Sequence, residues 1–455
     1  VVEVWVLRAF PSHQHNRVEH RCYSPPMFNG NKGKIVLVLG VVLAMAVGVL
    51  VAIAAPWRTV AQPEQSDAQS TYVLEVPQSE PEVVEEVVVE EAPAAPLEFT
   101  VTGGGDMLIH MPVADSAWNG ERWDFTTLMA PVADYISGAD IAICNMETPV
   151  VPRDQQPSGY PIFGAPQDLV DDMAAVGWDG CSTSTNHSLD QGYSGVVHTL
   201  NSFDEAGMGH VGTSRNQAEA AAPQLYVVEG EDQSATVAHI SSAHNLNGIP
   251  MPEEAPWAVQ MIDADRLIAE ATAAREAGAD VVIASLHCCE VEYMTDPEEE
   301  QITLAQTLAA SGVIDLVLSH HAHVPKTIDL LEGGPDGNGM WIAYGLGNFV
   351  SNQSTECCVE QSSSGLLAYF TFLKEEDQNP KIVDATWQVV TVDRFGGHRV
   401  YPLSAAGAEG STISAEEAAS RHAGIAAILE GSPATERTEA PTPSGNTVTV
   451  IPHTQ

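Results

Sequence analysis

The chain has 455 residues, enough for one large α/β domain with appended segments. Its 61 acidic and 18 basic residues give a formal net charge of −43, which argues against a basic face for nucleic acid or an anionic membrane surface. Seven cysteines are too few for a scaffold built from disulfides, and they match no zinc-finger spacing. We therefore predict an acidic, folded protein with no nucleic-acid partner.

The N-terminal part of the chain predicts a membrane anchor. Residues 35–54 are apolar and uncharged, and a helix of about 20 such residues crosses a bilayer. Lys32 and Lys34 precede this stretch, so the positive-inside tendency places residues 1–34 in the cytoplasm. We therefore predict a single-pass anchor at 35–55 in the cell membrane, with the catalytic domain outside the cytoplasm.

One alternative to this anchor and one question about where translation starts stay open. The small residues at Ala52-Ile53-Ala54 are also typical of a signal-peptide cleavage site. The chain opens on Val1, and translation that begins at Met27 is equally compatible with the sequence.

Composition divides the rest of the chain into a linker, a domain and a tail. Residues 56–96 are rich in proline and glutamate, which predicts an extended, self-repelling linker. Strand-like and helical patterns alternate from 97 to about 405, which predicts one folded domain. Residues 406–455 are rich in Ala, Glu, Thr, Ser and Pro. We predict a largely disordered tail there, with a possible short helix at Ala415–Leu429.

The alternation within the domain predicts a sheet covered by helices. Several predicted helices end at a glycine, a common C-terminal stop. The predicted helices are Phe125–Ser137, Asp168–Val176, Gly195–Glu205, Ala264–Ala277 and Glu298–Ala310. Three late strands lack intervening helices and predict a second, partly antiparallel sheet: Trp341–Tyr344, Leu366–Leu373 and Ile382–Val392. The predicted fold is a four-layer α/β/β/α sandwich.

Five short apolar segments each end at a residue that can bind a cation. The residues that follow them are Asp106, then Asn145 and Glu147, then Asn186 and His187, then His287, and finally His320, His321 and His323. Ligands in α/β sheets are held at the carboxyl ends of strands, and imidazole is the commonest protein ligand for a transition metal. The pattern therefore predicts a metal site.

The motifs around these residues resemble a known family. They are Gly104-Gly-Asp-Met107, Asn145-Met-Glu-Thr-Pro149, Thr185-Asn-His-Ser-Leu-Asp-Gln-Gly192, Leu286-His287 with Glu292-Tyr293, Ser319-His-His-Ala-His-Val324 and Tyr344-Gly-Leu-Gly-Asn-Phe349. Together they resemble the CapA family of capsule-synthesis proteins, associated with poly-γ-glutamate capsules, whose fold is similar to calcineurin-like metallophosphoesterases. The resemblance covers residues 98–395.

The resemblance implies roles for individual residues. The implied ligands of one or two divalent ions (Mn, Fe or Zn) are Asp106, Glu147, Asn186, His287, His321 and His323. Glu147 would bridge two ions. His187 would be the general acid. Asp190 would orient His187, or it would simply begin the following helix. The residues predicted to bind substrate are Asn145, Asn348 and His320.

One departure from the metallophosphoesterase pattern concerns the first motif. These enzymes usually open with Asp-x-His, whereas Asp106 is followed by Met107 and Leu108. His110 is a displaced candidate for the missing imidazole. The number of ions therefore stays open.

The resemblance implies a role in the synthesis or export of a capsule polymer of the poly-γ-glutamate type. The implied partners are an anionic polymer or phosphoester substrate, the membrane and other capsule-synthesis subunits. Two alternatives stay open: a metal-dependent phosphoesterase or hydrolase unrelated to capsules, and a non-catalytic subunit that binds the polymer.

The cysteines predict a cross-link near the metal site. Cys288 and Cys289 follow His287, and Cys357 and Cys358 follow the Tyr344–Phe349 loop. If both pairs border one pocket, a disulfide between them would fix its loops. Two further cysteines, Cys144 and Cys181, lie in predicted strands, and we predict that they are buried free thiols.

Overall fold

The computed structural model describes residues 94–289 and 291–453. The α-helices of this part are α1 (Met111–Ala117), α2 (Thr126–Met129), α3 (Ala133–Ser137), α4 (Asp168–Val176), α5 (Gly192–Ala206), α6 (Gln217–Ala220), α7 (Ala264–Glu276), α8 (Glu299–Ser311) and α9 (Ala415–Ile428). Short 3-10 helices cover Ala130–Val132, Pro335–Gly337 and Glu360–Ser363.

The strands of the same part, in chain order, are β1 (Leu97–Met107), β2 (Ile141–Asn145), β3 (Val150–Val151), β4 (Ala165–Pro166), β5 (Gly180–Ser182), β6 (Gly209–Val211), β7 (Gln224–Glu229), β8 (Ser234–Ala243), β9 (Val281–His287), β10 (Leu316–His320), β11 (Ile328–Leu331), β12 (Met340–Ala343), β13 (Asn348–Val350), β14 (Ser364–Lys374), β15 (Lys381–Asp393), β16 (Arg399–Leu403), β17 (Thr435–Glu436) and β18 (Thr447–Ile451).

The predicted cytoplasmic segment, anchor and most of the linker lie outside the described residues. Among the residues that the structure does describe, none of the helices is both long enough and apolar enough to span a bilayer.

The first sheet has the strand order β16-β15-β14-β1-β2-β5-β6, with β13 also paired to β1 and β17 to β15. Strands β1, β2, β5 and β6 are parallel, whereas β14, β15 and β16 are joined antiparallel to one another and to β1. The prediction that β14 and β15 belong to a second sheet is therefore wrong. The buried β1 needs a partner on both edges, and β14 pairs with it from Leu97 to Gly104.

The second sheet has the order β11-β12-β10-β9-β8-β7-β18. Its central strands β8, β9, β10 and β12 are parallel, and antiparallel strands β11, β7 and β18 occupy the two edges. Because the central strands of both sheets are parallel, their carboxyl ends gather polar residues at one edge of each sheet.

The two sheets face each other across an apolar core. Val101 and Ile143 of the first sheet and Ile283 and Leu318 of the second are fully buried in it. The sheets approach so closely that a side chain at Gly103 would place its Cβ 2.8 Å from Leu318.

Helices cover the outer faces of both sheets. Residues of α1 to α4 pack on the first sheet, and residues of α7 and α8 pack on the second. The layers are therefore helix, sheet, sheet and helix, as the sequence predicted.

Several predicted helix boundaries are also found. Helix α4 covers Asp168–Val176 as predicted, and it ends at Gly177, whose φ of +104° is left-handed. The helix predicted at Phe125–Ser137 is instead divided into α2, a 3-10 turn and α3. Pro131 lies in that turn, where it has no backbone N–H to continue the α-helical hydrogen bonds.

The tail predicted to be disordered is ordered from 406 to 453. Helix α9, predicted as a possibility, is capped by Ser414, whose Oγ accepts a hydrogen bond from the Glu417 N–H at 3.2 Å. Ala418 and Ile425 of this helix are buried in the core between the sheets. The tail then adds β17 to the first sheet and β18 to the second. The amino-acid composition did not predict this order, because a few apolar residues at helical and strand spacing are enough to anchor an Ala-, Glu- and Thr-rich segment.

The cysteine pairing also differs from the prediction. Cys144 of β2 is bonded to Cys181 of β5, its partner in the strand register, so these are not free thiols. The remaining four form two bonds between neighbours, Cys288–Cys289 and Cys357–Cys358. The predicted cross-link is wrong because Cys288 and Cys289 are buried under α7 and α8, whereas the other pair borders a cavity.

Candidate metal centre

The edge of the first sheet is organised around Asp106. Asp106 is aligned in the strand register with Asn145 of β2 and Asn348 of β13, one on each side. All three side chains are fully buried. The Asn145 amide donates a hydrogen bond from Nδ2 to Asp106 Oδ1 at 2.8 Å. The register of the parallel strands thus fixes the carboxylate from its neighbours.

The edge of the second sheet supplies histidines. His287 ends β9 and is aligned with His320, the last residue of β10. His321 and His323 follow on a turn in which their φ angles are +83° and +58°. Non-glycine residues with positive φ are uncommon, and such backbone strain is found mainly at functional sites.

Three of the predicted ligands form what we term the first donor group: Asp106, Glu147 and His323. Each offers a ligand atom, and these atoms all lie within 4.8 Å of one another. The Nδ1 atom of His323 is 3.1 Å from Asp106 Oδ2, and its Nε2 atom is 3.6 Å from Glu147 Oε1. A residue of the second sheet edge is therefore inserted between two carboxylates of the first.

Burial and charge act in opposite directions on this group. Burial raises the pKa of Asp106, but the nearby imidazoles of His320 and His323 outweigh burial and hold the pKa far below its usual range. Burial raises the pKa of Glu147 well above its usual range. Burial also disfavours protonated His323, yet the two carboxylates raise its pKa to about 10. A proton on His323 thus supplies positive charge between the carboxylates.

The donor set fits a cation. Both carboxylate oxygens of Glu147 are buried without a hydrogen-bond partner among the described residues. Buried carboxylates are normally paired, hydrogen-bonded or bound to metal. Carboxylate oxygens and imidazole together suit Mn²⁺, Fe²⁺ or Zn²⁺. Asp106, Glu147 and His323 could therefore hold one divalent ion.

The other three predicted ligands form a second donor group: Asn186, His287 and His321. His287 Nε2 lies 2.9 Å from Asn186 Oδ1 and 3.2 Å from His321 Nδ1. Burial and neighbouring imidazoles lower the pKa of His287 well below its usual range and that of His321 to about 3. Both rings are thus neutral at physiological pH, the state in which histidine binds metals. These residues could hold a second ion.

His187 is set beside the donor groups by a separate contact. Its Nδ1 atom lies 2.7 Å from Asp190 Oδ2, which also accepts a hydrogen bond from the Phe163 N–H at 2.6 Å. The Phe163 ring meets the imidazole edge-on at 4.8 Å. The structure favours the orienting role for Asp190, because its carboxylate contacts His187 and Phe163 whereas α5 begins later, at Gly192.

A cavity of about 680 Å³ opens beside these residues. Asn186, His187, Asp190 and His323 contribute to its wall, so both donor groups reach it. His110 also lies on this wall but joins neither donor group: its Nδ1 atom is 3.2 Å from the backbone oxygen of Leu108. Burial lowers the pKa of His110 to about 4.

The three residues predicted to bind substrate are placed differently. Asn145 and Asn348 are fully buried behind the first donor group, and neither borders the cavity. Asn348 Oδ1 is 3.1 Å from His323 Nδ1, so Asn348 braces a donor. His320 is also buried, with Nδ1 3.6 Å from Asp106 Oδ1. These side chains support the donors.

Other wall residues were missed by the sequence reasoning. Asn247 places its Nδ2 atom 3.4 Å from His187 Nε2, and its Oδ1 atom accepts a hydrogen bond from Asn186 at 3.3 Å. Its φ of +51° and the following Gly248 form an Asn-Gly turn signal that could have marked it as a fixed loop residue. Nothing in the local sequence around Phe163 indicates its contact with His187.

A family model described as "Bacterial capsule synthesis protein PGA_cap" matches residues 100–353, more than half of the chain. This range contains every residue of the two donor groups. It excludes β14 to β18 and α9, which complete both sheets.

Curated relatives share the same part of the chain. A probable polyglutamine synthesis accessory protein of Mycobacterium tuberculosis is 26% identical over 243 residues, which are 51% of this chain and 60% of that protein. The PGA biosynthesis protein CapA of Bacillus subtilis is 28% identical over 172 residues, 38% of this chain and 42% of that protein. The chain thus spans less than two thirds of either relative.

Solved structures with related folds are more distant. The Haemophilus influenzae NAD nucleotidase (NadN) aligns with a TM-score of 0.42 and 11% identity, over 74% of this chain and 57% of that one. The calcineurin-like phosphoesterase YfkN of Bacillus subtilis aligns with a TM-score of 0.40 and 14% identity, over 73% of this chain and 98% of that one. Similarity at this level does not bear on substrate or reaction.

Proposed function

The chain belongs to the bacterial capsule synthesis protein PGA_cap family, and we propose that its folded domain is a metal-dependent hydrolase in the synthesis or export of a capsule polymer. The names of the relatives concern the synthesis of polyglutamine and of PGA, and they support a polymer-related role together with other capsule-synthesis subunits. The reaction we propose is hydrolysis at a phosphoryl or acyl centre.

The observation that carries this proposal is the state of Glu147. Glu147 is a fully buried acid with no hydrogen-bond partner among the described residues, beside a second carboxylate and a histidine; its burial is costly, and a bound cation would offset that cost. A non-catalytic scaffold would gain stability by replacing such a residue with an apolar one. The arrangement therefore suits a metal centre better than a structural core.

The two donor groups would hold one ion each: Asp106, Glu147 and His323 the first, and Asn186, His287 and His321 the second. Such ions supply Lewis acidity and a hydrolytic nucleophile at neutral pH.

His187 is the residue placed to move a proton. Its Nδ1–H donates to Asp190, which fixes the tautomer and leaves Nε2 on the side of Asn247 and the cavity wall. When the ring carries a second proton, on Nε2, a leaving group in the cavity could take that proton and leave the neutral Nδ1–H imidazole paired with Asp190. Phe163 restricts the orientation of the ring and shields one side of it from solvent.

The test is hydrolysis by the purified full-length chain after loading with Mn²⁺, Fe²⁺ or Zn²⁺. We expect bound metal and hydrolysis of either a p-nitrophenyl phosphodiester or a γ-glutamyl peptide, both lost on treatment with a chelator. Glu147→Ala should remove metal and turnover together. A wild-type chain that retains no metal after reconstitution and hydrolyses neither compound would overturn the proposal.

We also propose that the domain lies outside the cytoplasm, carried by the anchor at 35–55. The uncharged run 35–54 and the preceding lysines support this orientation. Protease added to intact cells should cleave the linker at 56–96. Cleavage that occurs only after lysis would contradict the orientation.

A further inference from the structure

The cavity beside the metal centre has an apolar entrance. Tyr160 and Ile162 lie on one wall with 79% and 46% of their surface exposed. Tyr293 lies on the wall as well, and its hydroxyl accepts a hydrogen bond from Gln353 Nε2 at 3.1 Å. Exposed apolar side chains that border a concave site usually contact a ligand.

Two aromatic residues of the cavity wall, Phe163 and Tyr293, are held in place by hydrogen bonds. Phe163 is fixed at its backbone, because its N–H donates to Asp190 at 2.6 Å and its carbonyl accepts from Gln191 Nε2 at 2.7 Å. Gln353, which holds Tyr293, accepts a hydrogen bond from the buried Asn348 at 2.9 Å. The aromatic surface is therefore tied to the same residues that orient His187 and His323.

Apart from the donor His323, the charged side chains of the cavity wall are acidic. Asp190 and the exposed Glu292 contribute to the wall, whereas no Lys or Arg is found among the described residues that line it. Arg394 lies next to the wall loop but already donates hydrogen bonds to Asn352 and Ser354 and pairs with Glu356 at 2.9 Å. Outside the donor groups, the described wall residues therefore supply no Lys or Arg to pair with an anionic group.

We infer that the substrate segment beside the reacting bond is uncharged and apolar or aromatic. The inference rests on the proposed hydrolytic function and specifies its substrate class. The reacting group itself would contact the donor groups, and its neighbour would lie against Tyr160, Ile162 and Tyr293. An anionic neighbour would instead face Glu292 without a compensating cation.

Two matched diesters test this inference: p-nitrophenyl phenyl phosphate and p-nitrophenyl 4-carboxyphenyl phosphate. In both, water adds to phosphorus, the bond to p-nitrophenolate breaks and a proton is released. The second compound differs from the first by one carboxylate. We expect metal-loaded protein to prefer the phenyl diester by about tenfold in kcat/KM, the discrimination typical of one unfavourable pocket contact.

Substitutions of single wall residues separate the effect of charge on substrate preference from the effect of apolar contact. Glu292→Gln should narrow the preference to about threefold or less, because it removes the repulsive charge at nearly constant size. Ile162→Ala should lower kcat/KM for the phenyl diester by about tenfold. Leu330→Ala is the matched control, because Leu330 is exposed to a similar degree, 44%, and lies outside the cavity. It should leave kcat/KM unchanged, and circular dichroism verifies the fold of each variant.

The outcomes distinguish this inference from the proposed function. Hydrolysis with equal or greater kcat/KM for the carboxylated diester would overturn the inference and leave the function standing. If neither diester is hydrolysed, calorimetry is used to compare the affinities of phenylphosphonate and 4-carboxyphenylphosphonate for the metal-loaded chain. Tighter binding of phenylphosphonate would support the inference. Equal binding, tighter binding of the carboxylated compound or binding of neither would overturn it.

Discussion

The two sheets reach the metal centre with different chemistry. The first sheet contributes oxygen donors, Asp106, Glu147 and Asn186, and the second contributes imidazole nitrogens, His287, His321 and His323. Each donor group mixes the two kinds. The proposed centre therefore draws on both sheet edges, which pack against each other across the apolar core.

The difference also appears in the electrostatics. In the first donor group, carboxylates raise the pKa of His323 to about 10. In the second, burial and neighbouring imidazoles lower the pKa of His321 to about 3. The first group thus attracts positive charge before any ion binds, and the second offers neutral lone pairs. We expect the first group to dominate affinity for a divalent cation.

The largest expected effect comes from removing one charge of the first sheet. Asp106→Asn keeps the size of the side chain but loses an anionic donor. We predict a fall in turnover of about 10³-fold or more, at least ~4 kcal/mol, together with loss of bound metal. Steady-state kinetics and elemental analysis measure the two effects. Asp134→Asn, the same change at an exposed position of α3, is the control, and full metal content in Asp106→Asn would contradict the assignment.

A comparable loss of turnover should occur without metal loss at His187, which follows the donor Asn186 directly. His187→Ala should lower kcat by about 10²–10⁴-fold, the range for a positioned acid or base. Asp190→Asn should lower kcat less, because the imidazole stays but its tautomer is no longer fixed. Loss of metal from His187→Ala would make this residue a donor instead.

A smaller effect is expected at His320, which faces Asp106 from the second sheet. Its ring nitrogens are buried without hydrogen-bond partners in the described part of the chain, and Nδ1 lies 3.6 Å from Asp106 Oδ1. We predict that His320→Ala weakens metal affinity by about 10–100-fold, as removal of groups behind metal ligands does.

Metal titration monitored by calorimetry measures this affinity, and partial rescue by His320→Gln would show that a polar group facing Asp106 is what matters. His110→Ala removes a histidine that joins neither donor group, so its metal affinity should stay within about twofold. Equal affinities for His320→Ala and the wild type would remove His320 from the centre.

No effect on metal binding is expected from Asp179, which directly precedes β5; its effect is on the free energy of unfolding. Burial, with Asp140 nearby, raises the pKa of Asp179 to about 7, although its carboxylate accepts a hydrogen bond from the Ala142 N–H. The folded state therefore keeps a proton that the unfolded state releases near pH 4. Stability should fall as pH rises from about 4 to 7, by at most ~4 kcal/mol.

Asp179→Asn should flatten this part of the pH profile and leave metal content unchanged. Chemical denaturation between pH 4 and 8 measures the effect. An unchanged slope in the variant would show that the carboxyl group titrates normally.

The clustering of the candidate donors was predictable because their position at strand ends is a local property of the sequence. An apolar strand followed at once by Asp106, His287 or His321 is visible without any tertiary information. The layer order was predictable from the alternation of helices and strands for the same reason.

What could not be predicted depends on strand register and pairing. Asn145 and Asn348 brace the donors because β2 and β13 align them with Asp106. Likewise, β14 joins the first sheet because β1 has a free edge of matching length. Cys144 is bonded to Cys181 because β2 and β5 are neighbouring strands that align the two residues. Such partners come from distant parts of the chain, so the local pattern around each residue contains no sign of them.

The central claim is that residues of different sheets share one ion, and a double-mutant cycle on metal affinity tests it most directly. Glu147 and His323 come from the first and second sheet edges, with Oε1 and Nε2 3.6 Å apart. We predict that Glu147→Ala and His323→Ala each remove the first ion, and that the double variant binds no more weakly than either single one. Independent, additive losses of affinity, or full metal content in both single variants, would contradict a centre shared between the sheets.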